Sequence, residues 1–168
     1  MGSGRPINAV IGVRRKAGST YYVKRSEHMA NYPDVWSLFS IQHDPATLPD
    51  VTDIVAAQPL FDAMSAERLG GVPVTVKSYL TSGSSDLNPM GVDVTLHLFE
   101  IDFDVEPVLN PRYYTDAAWL SAEEYEERCA EQVCGLCLRL WSDYAWIMGY
   151  TDRPFIPHRS YDTASVPA

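Results

Sequence analysis

Between residues 91 and 105 the apolar side chains of an extended segment change face: Val92, Val94, Leu96 and Leu98 fall on one side, then Ile101, Phe103 and Val105 on the other. A bulge near Phe99 explains the switch, and so does a strand buried on both faces at its start. The second explanation needs cover above and below the sheet, which points to a layered fold of sheet and helices.

The flanking segments supply such layers. Residues 7–16 and 19–26 are rich in β-branched and aromatic side chains and flank Ala17-Gly18, a hairpin signal. Residues 35–41 form a third apolar run, and a polar loop follows over 43–50. Residues 51–69 predict a helix capped by Asp50 or Thr52, kinked or split by Pro59 and stopped by Gly70-Gly71. Residues 72–80 alternate as a half-buried strand, and 81–89 read as a turn-forming loop. Beyond a Pro-rich connection containing Asn110-Pro111, Ser121-Ala-Glu-Glu124 is a capping box that opens a helix reaching about Met148. Its expected core stripe is Val133, Leu136, Leu140, Tyr144 and Ile147. The order predicts an α/β (α+β) chain with a mixed β-sheet sandwiched between helices. One domain is expected, with its core over about residues 6–148 and a Pro-rich arm over 149–168.

Charge narrows the partners. The 168 residues carry a formal net charge of −9, which argues against a nucleic-acid polymer or an anionic membrane surface. The apolar runs are far shorter than the roughly 20 residues a membrane-spanning helix needs. Only three of the 13 basic residues are Lys (Lys16, Lys24 and Lys77), and the rest are Arg. Guanidinium forks match carboxylate and phosphate, so a small anionic metabolite is the expected partner. No basic and apolar leader pattern opens the chain, so a cytoplasmic location is expected. Cys129, Cys134 and Cys137 lie in one predicted helix with only His158 downstream. They read as core thiols, and neither zinc nor an iron–sulfur cluster is expected.

Ala9-Val-Ile-Gly-Val13, Tyr22-Val-Lys-Arg25 and Tyr32-Pro-Asp-Val-Trp36-Ser-Leu38 together resemble the first half of a Nudix (MutT-like) domain. The long strand over 94–103 and Asp116-Ala-Ala-Trp119-Leu-Ser-Ala-Glu-Glu124 are similar to its second half. The resemblance covers roughly residues 6–147 and implies a Nudix-like α/β/α sandwich. The family's box, G-x5-E-x7-R-E-U-x-E-E-x-G-U, is degraded here. With Gly70 on the last Gly, Glu67 matches the first of the paired glutamates and Arg68 replaces the second. Ala63-Met64 replace Arg-Glu, while Pro49 and Val55 fill the remaining Gly and Glu positions. One carboxylate cannot assemble the usual metal cluster, because such Mg²⁺ sites draw on several oxygen ligands.

Two functions follow from the resemblance. The first is a divergent hydrolase of a nucleoside-diphosphate-linked metabolite, a pyrophosphohydrolase with Mg²⁺ on Glu67 and Asp62 and with Glu67 and His43 as catalytic residues. The second is a non-catalytic sensor or partner domain that binds a nucleotide-like anionic metabolite through Arg25 and Arg68. His43, beside Asp44 in the loop after the third strand, and His97, in mid-strand with Asp93 and Thr95, are further candidate ligand contacts. Apolar side chains nearly encircle the segment from Val133 to Met148. The tail is therefore expected to fold back, laying Phe155 and Ile156 across it, with a homodimer through the same surface as the alternative.

Overall fold

The computed structural model describes residues 6–29, 32–85, 92–129 and 136–156. Eight strands divide between two sheets. β1 (Ile7–Val13), β5 (Phe39–Gln42), β6 (Thr75–Ser85) and β7 (Val94–Asp102) form a mixed sheet in the order β5-β1-β7-β6, with β1 and β7 parallel. β2 (Arg15–Lys16), β3 (Ser19–Arg25), β4 (Trp36–Ser37) and β8 (Tyr114–Leu120) form an antiparallel sheet around β3. The expected hairpin at Ala17-Gly18 exists, both residues having positive φ as a primed turn requires. Only Arg15–Lys16 enter it, however, because the chain leaves the first sheet after Val13. The 35–41 run likewise divides at the fully buried Leu38, giving β4 to one sheet and β5 to the other.

β7 resolves the two explanations of its sequence. Val94, Leu96 and Leu98 join one core with Ile11, Trp141 and Phe155. Phe99, Ile101 and Phe103 join another with Val10, Phe61 and Met64. The pleat of β7 is therefore regular and both faces are buried. The register shifts lie instead in β6, between Val76 and Ser78 and between Tyr79 and Thr81. β6 also runs to Ser85, through residues 81–85 that were expected to turn, because each step pairs with β7.

α1 (Ile54–Arg68) covers the second core. Its cap is Asp53, not Asp50 or Thr52: the Asp53 carboxylate accepts from the backbone N–H groups of Val55 and Ala56, both at 3.1 Å. Asp50 instead accepts from Thr52. The helix passes through Pro59 without splitting. Gln58 ties it to the edge strand, donating to the Val74 carbonyl at 2.7 Å and accepting from Val76 N–H at 2.9 Å. One amide thus satisfies the strand edge as a neighbouring strand would.

The capping box forms as read, with Ser121 N–H donating to Glu124 and Glu124 N–H to the Ser121 hydroxyl. It opens α2 (Ala122–Cys129); α3 (Leu136–Ile147) follows, and residues 130–135, with Val133 and Cys134, lie outside the described residues. The buried side chains described in α3 are Cys137, Leu138, Trp141, Ser142 and Ala145, whereas the expected Ile147 is 75% exposed. The phase is set by the returning tail. Phe155 and Ile156 are buried, and their N–H groups both donate to the Ser142 hydroxyl, at 2.7 and 2.9 Å. No described helix is long and apolar enough to cross a membrane.

Candidate functional site

The C-terminal end of α1 gathers groups from four separated segments. Gly70 ends the helix at φ +73°, where a Cβ would come within 2.7 Å of Val108. The 108–114 segment can therefore lie against the helix end. Its Val108 and Asn110 N–H groups donate to the Leu69 and Arg68 carbonyls at 3.1 and 2.9 Å, and the Asn110 side chain donates to the Glu67 carbonyl at 3.0 Å. These bonds satisfy carbonyls that a helix C-terminus otherwise leaves open.

Arg68 is held against this segment. Its guanidinium lies 4.4 Å from the Tyr113 ring centre and donates to the Tyr114 hydroxyl at 3.3 Å. The same hydroxyl accepts from Ser40 N–H on β5 at 3.4 Å. Glu67 pairs with Arg68 at 3.3 Å, the two side chains being 46% and 13% exposed. Hydrogen bonds with Tyr114 and Glu67 hold the Arg68 charge against its burial and raise its pKa. Arg25, at the end of β3, donates to the Tyr32 carbonyl at 3.0 Å. Burial pulls its pKa down, and the nearby Arg68 charge adds to that fall. The two arginines named from the sequence share a neighbour: Arg25 stands opposite Tyr114 in the β3–β8 register, and Arg68 donates to the Tyr114 hydroxyl, although β3 and α1 belong to different layers.

The carboxylates have partners of their own. Asp62 is exposed and accepts from Gln58, one turn back on the helix, at 2.9 Å. Met64, where the family pattern carries a glutamate, is fully buried in the core. Among the described residues no three His, Cys, Asp or Glu side chains come close enough to share a metal ion. The residues present therefore do not fit a multi-carboxylate Mg²⁺ site. Cys137 is buried as a free thiol, 3.1 Å from the Ser37 hydroxyl. Cys134 and His158 lie outside the described residues.

His43 and His97 form a second pair, with ring centres 6.4 Å apart. His43 follows β5, and its Nδ1 lies 3.0 Å from the Asp44 carbonyl. His97 is buried on β7, opposite Val10 and Ser82, with Tyr79 6.4 Å away. Burial lowers its pKa first and the His43 charge second. No hydrogen bond or ion pair among the described residues joins His43 to Glu67 or Asp62. Tyr113, Tyr114, Ser40 and Asn110 were not singled out from the sequence as site residues. Asn110-Pro111 signalled only a turn, and no local pattern marks two tyrosines that act through a distant helix end.

No family model and no curated protein matches the chain. Solved structures do. The MutT protein of Methanosarcina mazei Go1 is similar over 88% of this chain and 98% of its own, with 14% identity and a TM-score of 0.64. A Nudix hydrolase of Nitrosomonas europaea matches 95% of this chain and 99% of its own, at 16% identity and TM-score 0.60. A MutT Nudix hydrolase of Burkholderia pseudomallei matches 72% of this chain and 87% of its own, at 17% identity and TM-score 0.54. The chain has the fold of these Nudix proteins.

Proposed function

We propose that this protein is a Nudix-fold binding module that holds a small phosphorylated metabolite on Arg25 and Arg68 without a divalent metal. The carrying observation is that both arginines stand beside Tyr114, Arg25 opposite it in the strand register and Arg68 on its hydroxyl, with Glu67 as the carboxylate paired with Arg68. Two cations near one another and partly out of bulk water repel, and a phosphate relieves that repulsion while accepting from both forks. The end of a helix is a poor place for an anion because the helix dipole is negative there. Arg68 supplies a fixed positive charge at that point, at the position where the family pattern has a metal-binding glutamate. In this reading Glu67 is a competitor that the ligand displaces from Arg68.

ADP and ADP-ribose, titrated calorimetrically in EDTA and again in Mg²⁺, test the reading. Binding is expected in EDTA, with a Glu67→Gln chain binding about 3-fold tighter once the internal carboxylate is neutral. Binding that requires Mg²⁺, together with product release that Glu67→Gln abolishes, supports the hydrolase reading instead.

A further inference from the structure

At the far end of β1, an open cleft of about 340 Å³ is lined by Arg14, Lys16, Phe103, Asp104, Glu106 and Trp119, among others. That volume lies within the range of small-ligand sites. Its charges are not equivalent. Arg14 is committed: it pairs with Asp102 at 2.9 Å, donates to the Arg15 and Phe103 carbonyls at 2.8 and 3.4 Å, and lies over the Phe103 and Trp119 rings. Glu106, at the exposed rim, accepts from the Trp119 indole N–H at 3.3 Å and lies near enough to Tyr21 to hinder its ionisation. With Arg14 and Asp102 cancelling, two carboxylates, Asp104 and Glu106, face one ammonium, the exposed Lys16. The Trp119 ring, which already carries Arg14 at 5.7 Å, supplies apolar surface to the wall of the cleft. Tyr21, behind the cleft, registers the same sign: burial, then Glu106 and Asp116, push its ionisation upward.

We propose that this cleft binds a small organic cation, an alkylammonium or guanidinium group, with Glu106 as counter-ion and Trp119 as the wall. Glu106 is oriented before the ligand arrives, so little ordering accompanies binding. The site is separate from the arginine pair, and a phosphate ligand there is not required for it. Two sources carry this chemistry, a free polyamine-like metabolite and an Arg or Lys side chain of a peptide.

Tryptophan fluorescence and calorimetric titration separate them, with agmatine as the free cation, N-acetyl-Gly-Arg-Gly-amide as the peptide and N-butylurea as the neutral analogue. At least one cation is expected to bind one-to-one, and N-butylurea about 10-fold more weakly or not at all. The tighter of agmatine and peptide identifies the source. Glu106→Gln, whose amide oxygen still accepts from Trp119, is expected to weaken the cation about 10-fold with the urea midpoint unchanged. Lys16→Gln, at the rim, is expected to tighten it about 2-fold. Equal binding of N-butylurea, an unchanged affinity in both variants, or no cation binding up to about 10 mM overturns the proposal.

Discussion

At the end of α1 the Arg68 guanidinium lies 4.4 Å from the Tyr113 ring and 5.9 Å from the Tyr114 ring; at the end of β1 the Arg14 guanidinium lies 5.4 Å from Phe103 and 5.7 Å from Trp119. Both arginines rest on a pair of aromatic rings, and both are mostly buried, at 13% and 15% exposure. Their surroundings differ in charge. Arg68 has one half-exposed glutamate beside it and feels the charge of Arg25, while Arg14 has Asp102 as partner and Asp104 and Glu106 beside it. The aromatic platform fixes where a guanidinium sits, and the count of nearby carboxylates decides whether it serves a ligand or the fold. On the function proposed above, a chain of net charge −9 keeps one local site for an anion.

The sharpest break between the two regions is expected from Arg68→Met. It should lower ADP affinity about 30-fold, equivalent to about 2 kcal/mol, while shifting stability by less than about 1 kcal/mol. Arg25→Met should lower ADP affinity in the same direction, and combining the two should add little because they grip one phosphate. Calorimetric titration beside urea denaturation reads both quantities. An Arg68→Met chain that binds ADP normally removes the ligand role and leaves α1 with a structural arginine only.

Arg14→Met should do the reverse. It leaves Asp102 without its ion pair, at a cost of about 1–2 kcal/mol in urea denaturation, because both partners keep some solvent access. ADP affinity should stay within about 2-fold of the unaltered chain. If Arg14→Met weakens ADP as strongly as Arg68→Met does, the two platforms are one extended site and the contrast fails.

What the sequence disclosed of these regions follows the range of each signal. Turn and cap chemistry acts over three or four residues, so Ala17-Gly18, Gly70-Gly71 and the Ser121–Glu124 box were legible. The docking of Phe155 and Ile156 was also legible, because a helix with so little polar surface needs cover. β8 was not. Its Tyr-Thr-Asp-Ala-Ala-Trp-Leu run exposes Thr115 and Asp116, and its strand conformation comes from pairing with β3. The two tyrosines of the site sit at the start of that strand and were missed with it. Arg25 and Arg68 were named because the family resemblance placed their segments around one cleft. That they share Tyr114 is a tertiary event, the two lying 43 positions apart in the chain. The Arg14–Glu106 cleft had no such guide, since its walls come from a hairpin, the segment that follows β7 and the last residues of β8.

The smallest effect is expected at the uncharged counterpart of these platforms, the buried His97 beside His43 and Tyr79. Burial and then the His43 charge lower its pKa from the ordinary 6.5. The folded protein therefore favours the neutral ring, and the unfolded chain takes up the proton first as pH falls. Stability from this source is complete above the unfolded value of about 6.5 and is lost as pH falls through the depressed folded value. Neither arginine titrates in that window, so the pH dependence isolates the histidine from both platforms. Urea midpoints between pH 8 and pH 5 should fall less for His97→Leu than for the unaltered chain, by a margin smaller than the Arg14→Met effect. Subtracting the two curves removes what is common to both chains. Parallel curves would mean that His97 takes up its proton at the same pH folded and unfolded, and would assign the acid sensitivity to groups common to both chains.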